Sequence, residues 1–189
     1  MLNFPVIAHR YLLPSTASYE ARACPDQYVG LKSEIETGGH FGHRVPASER
    51  PHRLACVLLV LESPHTSEFG TEPGPAKGRT GANIVRFLRE VPGLHDTERF
   101  GLVLVNAIQF QCSLGRPTSE VRDTVFRKAW DNGGRTDFES RLRALYRVGD
   151  YVVNCCTRGQ SEKIHLPLRA LVQRAMASVL PENTVVLRR

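Results

Sequence analysis

Two kinds of apolar pattern alternate along the chain. Residues 57–61 (Val-Leu-Leu-Val-Leu) are uninterrupted apolar positions that stop abruptly at a polar turn, Glu62-Ser-Pro-His65. A β-branched and leucine-rich run without polar alternation predicts a strand buried on both faces, with the turn at its carboxyl end. Residues 101–108 and 150–155 repeat that signature, and 183–187 carry a shorter version of it. Between these runs the apolar spacing changes to i, i+3, i+4 over residues 82–89 and again over 118–130. Phe138, Leu142, Leu145 and Tyr146 follow the capping-box signature Thr136 to Glu139, and Leu168, Leu171, Val172 and Ala175 mark a last helix. Strands alternating with helices predict an α/β fold: one domain over 1–189, in three α/β/α layers around a central four-stranded parallel sheet with right-handed crossovers.

The first fifty residues depart from this regularity. They are rich in Gly, Pro, Ser and His, as in 38–43 (Gly-Gly-His-Phe-Gly-His) and 46–51 (Pro-Ala-Ser-Glu-Arg-Pro). One or two short helices packed over the core are expected there, in an otherwise irregular segment. His40 and His43 have no third candidate ligand nearby, so they do not indicate a metal site.

Composition narrows the class. The 41% hydrophobic and 23% charged residues over 189 positions fit a globular chain large enough to bury a core without staples. Lys and Arg outnumber Asp and Glu by 25 to 19, a formal charge of +6 with pI near 9.3, which suits a polyanionic partner without demanding one. The five cysteines, Cys24, Cys56, Cys112, Cys155 and Cys156, lack C-x-x-C spacing. Reduced thiols in a cytoplasmic protein are therefore expected, with no disulfide framework, metal or iron-sulphur cluster. No apolar stretch approaches a membrane span and no signal peptide opens the sequence, so no membrane partner is expected.

Candidate chemistry collects at the strand ends. Ligands in open α/β sheets bind outside the carboxyl ends of the strands, where Glu62 to His65 falls. Residues 70–81 form a glycine-rich basic loop opening the next helix, a place where backbone N–H groups can meet a phosphate, although the order is not that of a nucleotide P-loop. Asn106 interrupts an apolar strand and must find partners, as a structural cross-link or as a reader of a ligand.

In this order the motifs resemble those of the uracil-DNA glycosylase superfamily over roughly residues 55–187. Glu62-Ser-Pro64 is similar to the family's G-E-A-P-G and G-Q-D-P-Y turns, residues 75–81 (Pro-Ala-Lys-Gly-Arg-Thr-Gly) to its P-F-V-G-R-A-G loop, and 103–107 (Val-Leu-Val-Asn-Ala) to its L-L-L-N-x strand. The resemblance implies a monofunctional hydrolase, without cofactor, that cleaves the N-glycosidic bond of a pyrimidine flipped out of DNA and leaves an abasic site. Glu62 would then serve the attacking water or the cationic sugar, and Asn106 would read the base. Ser63, Pro64, His65 and Ala76 would border the base, while Lys77, Gly78, Arg79, Thr80 and Gly81 would hold DNA phosphates.

The departures bear on the substrate. Ser63 stands for the family's aspartate, His65 for the tyrosine that excludes a thymine methyl, and Ala76 for the phenylalanine that stacks on uracil. The H-P-S loop, which follows the fourth strand in the family, has no counterpart by position; Arg158, His165 or His65 is expected to supply its donor. The resemblance thus implies either uracil or a modified cytosine, such as a hypermodified base of phage DNA attacked by a defence enzyme. Two other readings stay open: a catalytically silent nucleic-acid-binding module on the same fold, and a nucleoside N-glycosidase.

Overall fold

The computed structural model describes residues 2–12, 19–91, 94, 97, 99–159, 166–182, 184 and 186–188. Its centre is a six-stranded mixed sheet of order β2-β1-β4-β3-β5-β6. The four strands expected from the apolar runs are β3 (Cys56–Leu61), β4 (Gly101–Asn106), β5 (Tyr151–Asn154) and β6 (Val186–Arg188), and they pair in parallel. All positions of β3 and β4 are buried, as expected of a strand covered on both faces.

Two corrections concern the flanks. The amino-terminal segment is not only helical: besides α1 (Phe4–His9) and α2 (Lys32–Gly38) it supplies β1 (Gln27–Leu31), antiparallel to β4, and β2 (Val45–Pro46), antiparallel to β1, which extend the sheet. Gly30, at φ +113°, lies in the register shift between Tyr28 and Leu31, a backbone angle that breaks the alternation by which a strand is recognised. The capping box at Thr136 is also not used as one. Helices α4 (Arg122–Ala129) and α5 (Arg135–Leu145) are joined through a kinked turn at Asn132 and Gly133, and Glu139 pairs with Arg135, 2.6 Å away.

Alternate residues of the strands feed two cores. Leu58, Val60, Val103, Val105 and Val152 meet α4, α5 and α6 (Leu168–Val179) on one face. Val57, Leu59, Leu61, Leu102 and Leu104 meet the side carrying α2 and α3 (Arg79–Phe87) on the other. The connection leaving β3 therefore runs to one face, and those leaving its neighbours β4 and β5 run to the opposite face. Such a divergence opens a crevice beyond the carboxyl ends of the strands.

Candidate functional site

Glu62 follows directly on β3 and Asn106 ends β4, and the parallel register sets Leu61 opposite Asn106. Both residues line one cavity of about 680 Å³, bordered also by Ser63, Pro64, His65, Glu68 and Ser113. Gly78, Arg79 and Thr80, at the start of α3, bring the glycine-rich loop to the same cavity, and Arg79 and Thr80 are exposed there.

Glu62 is only 7% exposed and is held on both oxygens. Oε1 accepts from the Ser63 hydroxyl at 3.1 Å and lies 3.2 Å from Nε of Arg122. Oε2 accepts a short hydrogen bond from the Thr157 hydroxyl. The Arg122 Nε–H is donated to Asp123, so Arg122 acts on Glu62 by charge. Each carboxylate oxygen then accepts one hydrogen bond among the described residues and, with two acceptor positions, has one left for a water. Burial pushes the Glu62 carboxyl above its ordinary value, and Arg122, Thr157 and Ser63 act against that rise. The result is a fixed carboxylate more basic than one in water.

Asn106 is 1% exposed. Its Nδ2 donates to Sγ of Cys24 at 3.6 Å, and its Oδ1 has no hydrogen-bond partner among the described residues. The end of β4 is held from behind. Asp26 accepts from the Asn106 backbone N–H at 3.2 Å and from Arg141 at 2.7 Å, and Arg141 also donates to the carbonyls of Asn106 and Ala107. Side chain and backbone are thus treated differently: the backbone is fully engaged, while the amide carbonyl is buried without a partner among the described residues.

Glu68, on the short turn after His65, is the second carboxylate of the cavity. Burial lifts its pKa to about 7 against the pull of the Ala76 and His65 backbone amides and of Arg44 and Lys77. Its Oε2, the Ser113 hydroxyl and Asn106 Oδ1 are all buried without a partner among the described residues.

Comparison of the chain with protein-family models, curated proteins and solved structures finds no match. The site therefore rests on its own geometry.

Not every residue expected at the site is in it. Ala76 is buried at φ +57° in the core under α3, outside the cavity lining, so its small side chain does not widen the cavity. Lys77 is exposed and its ammonium donates to the Glu72 carbonyl; Gly81 is packed against the Ala76 carbonyl. Arg158 is exposed and is not a lining residue, and His165 lies outside the described residues. His65 does border the cavity and is exposed, with Nδ1 turned to Ser67. Conversely, Arg122, Thr157, Glu68 and Ser113 carry no motif. Only the position of Thr157, just past a strand end, gave a sequence-level signal. Among the described residues no cluster of His, Cys, Asp and Glu is arranged to hold a metal ion, and no helix is long and apolar enough to cross a membrane.

Proposed function

We propose that the protein is a monofunctional DNA glycosylase on a uracil-DNA glycosylase-like fold, hydrolysing the bond between C1′ and N1 of a flipped-out pyrimidine. The observation that carries this reading is the convergence of Glu62 and Asn106 on one cavity. A carboxylate fixed by two hydroxyl donors and the Arg122 charge, with acceptor positions left, suits a water held for attack on a sugar carbon. The C1′–N1 bond breaks with its electron pair leaving on N1, the water oxygen bonds to C1′, and Glu62 takes the water's proton. Protonation of the departing base closes the balance and an abasic site remains. Asn106 holds the pyrimidine edge, and Gly78, Arg79 and Thr80 hold phosphates of the same strand through backbone N–H groups, hydroxyl and guanidinium. Of Arg158 and His65, the two described candidates for the donor to the base, His65 borders the cavity.

The substrate is uracil or a modified cytosine; the latter would fit a role in defence against hypermodified phage DNA. DNA oligomers carrying uracil, 5-hydroxymethylcytosine or its glucosylated form, treated with the protein and then with alkali, test the reading. Strand scission at the modified base is expected, with Glu62→Gln lowering it by about 100-fold or more. Intact strands with every base overturn it, and DNA binding unchanged by Glu62→Gln without scission would point to a silent binding module instead.

A further inference from the structure

We infer that Glu68 is a base-reading residue that selects a 4-aminopyrimidine, a base of the cytosine class, over its 4-oxo counterpart. The inference rests on the glycosylase reading and adds to it the class of base.

Three buried polar atoms of the cavity-lining residues lack partners among the described residues: Asn106 Oδ1, Glu68 Oε2 and the Ser113 hydroxyl. Buried polar groups of a protein are nearly always satisfied, so three orphans around one cavity mark where a ligand supplies the missing hydrogens. Asn106 cannot choose the base alone. Its side-chain partner is the buried Cys24 thiol, which burial, its largest influence, keeps protonated far above the ordinary range. A thiol is a weak donor and a weak acceptor, so the Asn106 amide can present either its carbonyl or its N–H₂ to a base. Glu68 has no such freedom once ionised. As a carboxylate it only accepts.

Glu68 and Asn106 belong to one cluster, since Cys24 accepts from Asn106 and interacts electrostatically with Glu68. The other groups around Glu68 are the Arg44 and Lys77 cations and the backbone amides of Ala76 and His65, all of which favour its ionised form. Arg44 is itself committed, donating to Gln27 at 2.9 Å and to the Pro75 carbonyl at 2.7 Å. It stacks over Phe41, 5.1 Å from the ring centre. Among the described residues an ionised Glu68 therefore lacks a donor at Oε2, not a charge. The exocyclic amine at C4 of a cytosine brings N–H groups to such an acceptor. The O4 of a uracil brings lone pairs and is repelled. A site built around a buried acceptor discriminates strongly against a ligand that cannot donate to it.

The test compares 5-hydroxymethylcytosine and 5-hydroxymethyluracil, which differ at C4 and in the N3 proton that goes with it, in otherwise identical DNA. The Asn106 amide can match N3 in either base, and the Glu68 substitution reads the C4 difference. The ratio of kcat/KM for the two is read for the wild type and for Glu68→Gln, with circular dichroism and Tm as controls of folding. A preference for the amino base on the order of tenfold or more is expected, reduced severalfold in Glu68→Gln because the glutamine amide can also donate to O4. The same ratio in the wild type alone, measured from pH 6 to 8.5, is expected to rise as Glu68 ionises through about pH 7; the contribution of Glu62 is common to both bases and cancels. Excision of both bases with a ratio near one, or a ratio unmoved by both pH and the substitution, overturns this inference and leaves the glycosylase reading standing. Excision of neither, nor of uracil, overturns both.

Discussion

Two carboxylates define the chemistry at the residue scale, and pH separates them. Burial raises the Glu62 carboxyl above its ordinary value of 4.5, and only its ionised form can take a proton from water. The acid limb of kcat/KM is therefore expected above the usual carboxylate range; activity that stays flat down to pH 4.5 contradicts the role given to Glu62. Glu68 makes the complementary prediction about stability. Its folded pKa of about 7 lies above the ordinary 4.5, so the folded protein binds the proton more tightly than the unfolded chain. The stability this confers is full below about pH 4.5 and is lost as pH rises through about 7, a change on the order of 3 kcal/mol. Glu68→Gln is expected to stabilise the protein relative to wild type at pH 8 and to give no gain near pH 4.5, as read by urea unfolding at the two values. Neither carboxylate could be weighed fully from the sequence. Glu62 was legible because a polar residue ends an apolar run, whereas Glu68 lies in a polar stretch, residues 65–72, where nothing distinguishes it from a solvated charge. Its burial comes from the loop folded over it, a long-range effect with no local signature.

At the scale of elements, the glycine-rich loop is held by backbone contact rather than by side chains. A Cβ on Gly81 would lie 1.9 Å from the Ala76 carbonyl oxygen, and Ala76 takes a left-handed backbone, so the loop closes tightly on the first turn of α3. Gly81→Ala is expected to cost about 1–3 kcal/mol by overpacking and to weaken DNA binding together with stability, seen as a lowered Tm and a raised Kd. Unchanged stability would mean that the loop is free to move aside. The four parallel strands and the helices between them were legible because unbroken apolar runs and period 3.6 patterns of useful length survive there. β1 and β2 were not: each is short, one carries a left-handed glycine and the other a proline, and their assignment depends on pairing, of β1 with β4 and of β2 with β1. The Thr136 capping box misled because the kinked turn before α5 continues the chain from α4 and satisfies the first turn without it.

For the whole molecule, the amino-terminal segment works as part of the scaffold that sets the site. Arg50 and Asp150, one hundred positions apart and nearly fully buried, pair at 2.8 Å, and Asp150 also accepts from the backbone N–H groups of Cys56 and Arg147. This ties the segment to the starts of β3 and β5, opposite the ends that carry Glu62 and Thr157. Removing one partner of a buried pair strands the other, so Arg50→Ala is expected to cost about 3–5 kcal/mol. In a chain of 189 residues that is a fall in Tm of roughly 10 °C. A change under about 1 kcal/mol in denaturant unfolding would show that the pair contributes little.

The central claim is that Glu62 and Asn106 act on one base in one cavity, and release of the free base measures it most directly. DNA carrying uracil or 5-hydroxymethylcytosine is incubated with wild-type protein, Glu62→Gln and Asn106→Ala, and the small-molecule fraction is read by mass spectrometry. Stoichiometric free base is expected from at least one of the two substrates with the wild type, reduced by about 100-fold or more in each variant. Absence of free base with the wild type, or its release undiminished by Glu62→Gln, would contradict that claim.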